Sequence, residues 1–229
     1  LSFKHRPSFA PGAKFGYSNT NTVLLGLIAE KLEGKPLADI MRQRLFVPLG
    51  LRHTLFPAIT STALPEPYTR GYMYGNNVMT MDSPALPDSL QRAARAGTLA
   101  PVDWTDANAS WGWAAGMGIS NANDLVAWVQ ALVSGKLLNA EMQRGRLANV
   151  QPTDPADPNS ASYGWGIAKF GNLYGHTGEM PGYNSFMGHD PVNNVTLVVW
   201  TNLAPAADGR DPATTIARSL IGMIYKPAR

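Results

Sequence analysis

The sequence predicts an α+β fold, an antiparallel sheet with flanking helices joined to a mainly helical region. Three observations predict it. Apolar residues recur at helical spacing in two separate stretches before Gly135; short segments rich in aromatic and β-branched residues follow, divided by turn residues; and the chain closes on a further apolar helical stripe.

The first stripe lies in "KFGYSNTNTVLLGLIAEKLEG", where Val23, Leu24, Leu27, Ile28 and Leu32 share a helical face, Asn19 or Thr20 is placed to cap and Gly34 to stop. A second short helix is expected from Leu37 to Leu45, ahead of "VPLGL". From Arg52 to Trp111 prolines, glycines and polar residues interrupt any periodicity, which reads as a long functional loop or lid. "GMGISNANDLVAWVQALVSGKLL" then repeats the helical grammar, with Ser120 as cap, Leu125, Trp128, Val129 and Leu132 as stripe, and Gly135 as terminator. After the proline-rich "QPTDPADPNSAS", the segments "YGWGIAKF", "LYGHTG", "YNSFMGHD" and "VTLVVWTN" are separated by "GN", "PG" and "DPVNN" turns and read as consecutive antiparallel strands. Pro212 opens the final helix through Ile216, Leu220 and Ile224, placed to cover one face of that sheet. No internal repeat and no linker divides the chain, so residues 1–229 are read as parts of one domain.

Composition narrows the function. The 229 residues are 45% hydrophobic and 15% charged, enough to bury a sizeable core. A net charge of +3 comes from scattered lysines and arginines, without the basic clustering of a nucleic-acid surface, so no nucleic-acid partner is expected. The absence of cysteine excludes disulfides, thiolate metal sites and cysteine nucleophiles. The chain has no G-x-S-x-G elbow, H-E-x-x-H zinc helix or phosphate loop, and His5, His53 and His189 have no partners at metal-ligand spacing.

Two motifs carry chemistry. In "YGHTGEMPGYNSF", His176 and Thr177 alternate faces of a strand, and Gly178 lets a substrate backbone approach closely. An edge strand ending in a glycine turn gives the same pattern. In "GYSNTN", Tyr17 could exchange protons if cations stabilise its phenolate, although Asn19 also suits a helix cap and Tyr17 a core aromatic. Trp111, Trp113, Trp165 and Tyr183 are candidates to line a cleft, while aromatic residues beside glycines equally serve core and loop packing.

Taken together, Tyr-Ser-Asn before an apolar helix and His-Thr-Gly between two strands resemble the serine β-lactamase and penicillin-binding protein family. The likeness is to the branch of class C β-lactamases, D-Ala-D-Ala carboxypeptidases and related esterases, and it covers nearly the whole chain, including "GMGISNANDLVAW", "YGWGI" and "GHTGEMPGYNSFMGHDP". The resemblance implies a β-lactamase/transpeptidase-like fold and hydrolysis through an acyl-enzyme. It implies that Tyr17 exchanges a proton with nucleophile and leaving group, Asn19 holds the acyl-side amide, His176 stands where β-lactamases carry lysine, and Thr177 binds the substrate carboxylate. It implies too that the backbone N–H of Glu179, just past Gly178, is one oxyanion donor. Histidine in place of lysine leans toward a carboxypeptidase acting on a small peptide, with β-lactam or ester substrates as alternatives. No cofactor or metal is implied, and export is, since the carboxypeptidase substrate lies outside the cytoplasmic membrane.

The chain departs from the family at one point: no serine or threonine is followed three residues later by lysine. The family places that nucleophile motif upstream of Tyr-x-Asn, so the fold is expected to be incomplete at the N-terminus, with the serine in a missing segment. This chain would then be inactive alone, and an open sheet edge and exposed apolar face would be covered by that segment, a swapped chain or a partner chain. Natural loss of catalysis, leaving a binding or regulatory module, is the alternative from another class.

Overall fold

The computed structural model describes residues 4–75, 83–157 and 160–226. Ser2, residues 76–82 of the expected long loop and residues 158–159 of the proline-rich loop lie outside them.

Helix α1 (Asn19–Glu33) begins one residue after its cap, which is Ser18 rather than Asn19 or Thr20. Ser18 is extended and its Oγ accepts the Thr20 N–H at 3.3 Å, so Asn19 becomes the first helical residue. Gly34 ends the helix at φ 64, a left-handed turn that glycine adopts without strain. The apolar stripe is not core: Leu27, Ile28 and Leu32 are 51%, 52% and 81% exposed. What α1 buries is Gly26, where a Cβ would stand 2.7 Å from Ala114 Cβ.

The second helix does not stop at Leu45. It runs as α2 (Leu37–Met41), a π-helical turn (Arg42–Phe46) and α3 (Val47–Leu49), ending at Gly50. Pro48 lacks the N–H that would continue an α ladder, and the wider π spacing, with Val47 N–H on Arg42 O, carries the chain past it.

The segment expected to be loop from Arg52 to Trp111 contains α4 (Asp88–Arg95) and a short ladder of β1 (Tyr72–Met73) with β2 (Val102–Asp103). The helix α4 buries none of its residues, and with Leu90 as its one large apolar side chain it is too short and polar to stand out as a core helix. Helix α5 (Ala122–Ser134) is capped by Asn121, whose Oδ1 accepts the Asp124 N–H at 2.9 Å. Ser120, the expected cap, instead shares a hydrogen bond with Thr54 Oγ1. Polar α6 (Ala140–Ala148), capped by Asn139, was likewise not legible as a stripe.

The main sheet is a meander of β3 (Gln151–Pro152), β4 (Ser162–Tyr163), β5 (Ala168–Phe170), β6 (Leu173–Met180), β7 (Tyr183–Asp190) and β8 (Val195–Thr201), each antiparallel to the next. "YGWGIAKF" is not one strand: it divides between β4 and β5 at a turn where Gly166 takes φ 66. One sheet face packs through Tyr174 and Met187 on Val129, Leu132 and Val133 of α5. The other carries α7 (Pro212–Ile224), the final helix its sequence predicts. Phe186 is fully buried there, its ring centroid 5.0 Å from that of Phe170. Asp190, also buried, accepts Tyr225 Oη–H at 2.7 Å and the N–H groups of Val192 and Asn193. Burial works to raise its pKa, but hydrogen bonds from Asn193 and Tyr225 prevail and bring it down to about 2.

Candidate active site

The site begins with the hairpin β6–β7. Its two-residue turn, Pro181–Gly182, makes Met180 and Tyr183 the closing pair, so ladder hydrogen bonds join Gly178 to Ser185 and His176 to Met187. The intervening residues Thr177 and Glu179 therefore direct their backbone N–H and C=O groups away from β7. Strand β5 pairs with β6 only from Leu173 to Gly175. Beyond it, the Thr177 and Glu179 backbone groups lie along an open edge. Gly178 has a packing reason too, since a Cβ there would stand 2.5 Å from Ser185 Oγ.

His176 projects from the α5 face of β6. Its Nδ1 contacts the Thr177 carbonyl and its Nε2 lies 2.8 Å from Tyr163 Oη. A carbonyl only accepts, so Nδ1 carries the proton, and in the neutral ring Nε2 then accepts from Tyr163. Burial, and next the neighbouring Tyr17, push the Tyr163 phenol up to about 12 against the pull of Arg146, which keeps Tyr163 a donor near neutrality. Tyr17, 54% exposed, meets Tyr163 edge-on with ring centroids 5.7 Å apart and lies 6.3 Å from His176 by the same measure. Phe15 adds a ring 5.6 Å from Tyr163. Tyr17 and His176, far apart in the chain, thus converge on one aromatic cluster. Asn19 starts α1 beside it, and its carbonyl accepts Thr22 Oγ1–H at 2.9 Å.

Thr177 and Glu179 occupy the opposite face of the strand by its two-residue alternation. The Glu179 carboxyl turns toward Asp211, the residue preceding α7. Partial desolvation, then repulsion by Asp211, raises the Glu179 pKa, and desolvation raises that of Asp211 as well. The two carboxyls therefore favour sharing a proton. Trp113 and Tyr183 do other packing. Trp113 Cη2 would stand 3.1 Å from a Cβ on Gly26 of α1, and Tyr183 donates to the Thr69 carbonyl at 2.9 Å with its ring over Gly71.

Tyr163 and Asn184 are site-building residues that motif reading passed over. The signals available were small ones, the tyrosine opening "YGWGI" and an asparagine two positions before Phe186 in "YNSFMGHD", on the same strand face. Asn184 is 2% exposed and donates its Nδ2–H to the Gly178 carbonyl at 2.9 Å. Among the described residues, no group of three or more His, Asp or Glu side chains is gathered to hold a metal ion. An open groove of about 540 Å³, lined by Val102, Asp103, Trp104, Asp106 and Ala107, lies outside the aromatic cluster.

Comparison with known proteins converges on one family. The Beta-lactamase family profile matches residues 3–220. A putative D-alanyl-D-alanine carboxypeptidase of Escherichia coli K12 is 28% identical over 222 residues, covering 87% of this chain and 48% of its own length. A penicillin-binding protein of Bacillus subtilis is 26% identical over 200 residues, covering 85% of this chain and 41% of its own. Among solved structures, a D-stereospecific amidohydrolase from a Streptomyces species superposes with a TM-score of 0.76 at 28% identity, over 98% of this chain and 58% of that one. The chain thus spans about half the length of the curated relatives it matches.

Proposed function

From the premise that this chain belongs to the beta-lactamase family of serine hydrolases, we propose that it carries the proton-transfer and oxyanion half of an acyl-enzyme site. The bond cut is an amide at a D-amino acid residue, most concretely the terminal bond of a D-alanyl-D-alanine peptide. The serine and its lysine are contributed by polypeptide outside these 229 residues, which contain no S-x-x-K.

The observation that carries this reading is the open edge of β6. An extended substrate can pair there as an added strand, bringing its carbonyl oxygen to the Glu179 N–H while Tyr17 stands by the aromatic cluster with His176. Tyr17 takes the proton of the attacking serine and returns it to the leaving amine; Asn19 holds the acyl-side amide. His176, with both ring nitrogens engaged by Thr177 and Tyr163, orients the cluster rather than offering a free cation. Carboxylate recognition then leans on Thr177, whose side chain lies on the α7 face of β6 and would meet the carboxylate at the open edge. The preference for a D-residue is supported by two differently named relatives, the carboxypeptidase and the D-stereospecific amidohydrolase. A peptide substrate of the cell wall places the protein outside the cytoplasmic membrane.

The test is turnover by the nucleophile-bearing protein of an acyl-D-alanyl-D-alanine peptide, D-phenylalanine amide, its L enantiomer and p-nitrophenyl acetate. Release of D-alanine, or of ammonia from the D-amide alone, supports the reading. Ester cleavage without either makes it an esterase, and no acylation by any of the four makes it an inactive module.

A further inference from the structure

Asn184 joins two parts of the molecule that the reaction does not obviously require together. Its Oδ1 accepts the N–H of Ala213 at 2.8 Å and of Thr214 at 3.3 Å, at the first turn of α7. Its Nδ2 donates to the Gly178 carbonyl at 2.9 Å. The amide orientation follows from its partners, because backbone N–H groups only donate and a carbonyl only accepts. Asp211, the residue at the cap position of α7, makes no side-chain capping bond, so Asn184 caps this helix from across the fold.

The Gly178 carbonyl and the Glu179 N–H belong to one peptide unit. Donation to that carbonyl draws electron density from the peptide nitrogen and makes the N–H on its far side a stronger donor. The register points that N–H to the open edge. A continuous line of dipoles thus runs from the α7 N-terminus through the Asn184 amide and the Gly178–Glu179 peptide to the edge, each with its positive end forward. Asn184 is almost wholly buried, so the line is shielded from water.

We propose that Asn184 is a positioning residue that couples the N-terminus of α7 to the Glu179 N–H and strengthens it as an oxyanion donor. The proposal rests on the acyl-transfer reading above. It gives a reason for the buried amide of Asn184 at the point where β7 meets the first turn of α7. It also assigns the last helix a part in catalysis without any contact with substrate.

Asn184→Asp keeps an acceptor for Ala213 and Thr214 but loses the donor to Gly178; Asn184→Leu loses both; Asn184→Ser is a milder variant that cannot span both partners. In the isotope-labelled 229-residue chain, the Gly178 carbonyl carbon and the Glu179 amide nitrogen are expected to shift upfield in each folded variant. In the nucleophile-bearing protein, the acylation rate of Asn184→Asp is expected to fall about tenfold with KM changed less than about twofold, since only the transition state carries the oxyanion. A purely structural role would lower thermal stability without this split. An acylated wild type whose folded variants keep its rate, or unmoved Gly178 and Glu179 resonances, overturns the coupling alone. A wild type that no substrate acylates overturns the acyl-transfer reading, and the positioning role falls with it.

Discussion

The two halves of the site are held in opposite ways. The strand half, His176 to Glu179, sits in a six-stranded sheet packed on both faces and fastened to α7 by the buried Asn184. The tyrosine half lies on an exposed loop leading into α1, a helix whose Leu25, Leu27, Ile28 and Leu32 are all more than half exposed. Tyr17 is held to the strand half by ring contacts, and ring contacts are worth only about 0.5–1.5 kcal/mol beyond area burial. The β6 edge proposed to bind the oxyanion is therefore set by the fold before substrate arrives, while Tyr17, the proposed proton-transfer group, rests on a few weak contacts. Damage to the first half should cost stability; damage to the second should cost activity alone.

The largest expected effect tests the packed half. Phe186→Ala removes a fully buried ring between sheet and α7 and should lower unfolding free energy by about 3–5 kcal/mol in urea titration. Loss of less than about 1 kcal/mol would show that this half is not the rigid one. Tyr17→Phe sharpens the contrast. It should leave stability within about 0.5 kcal/mol of wild type yet slow acylation of the nucleophile-bearing protein by at least about 100-fold, as expected for loss of a proton-transfer group.

Tyr163→Phe falls between, since Tyr163 belongs to both halves. Losing the hydrogen bond to His176 Nε2 should cost about 1 kcal/mol and free the imidazole to change tautomer, read directly from histidine 15N shifts. An unchanged Nδ1–H tautomer would place its control in the Thr177 carbonyl alone.

The smallest effects are in pH. Glu179, raised above its ordinary value near 4.5, binds its proton more tightly folded than unfolded. Its contribution is therefore present below that value and is lost as pH rises through the folded pKa. The stability of wild type relative to Glu179→Gln should decline as pH rises above about 4.5. Asp190, depressed to about 2 from 3.8, runs the other way: its contribution is present above 3.8 and lost as pH falls toward 2, and Asp190→Asn should abolish that loss.

The same contrast governed what could be read from sequence. Period-two strands bounded by "GN", "PG" and "DPVNN" and the proline-started last helix were legible because burial on fixed faces dictates their residues. Helices α4 and α6 were not, because little or nothing in them is buried, and α1 was legible as a helix but not in the fate of its stripe. The site motifs around Tyr17 and His176 stood out by residue type. Tyr163 and Asn184 did not, since their importance lies in hydrogen bonds across the sheet and to α7, which no local spacing encodes.

The central claim is that these residues serve a serine nucleophile they do not contain. Intact-mass measurement after incubation with a fluorescent penicillin tests it most directly, with the full gene product run beside the 229-residue chain. The account predicts one penicilloyl adduct on the full product and none on the short chain. An adduct on the short chain, or none on either, would contradict it.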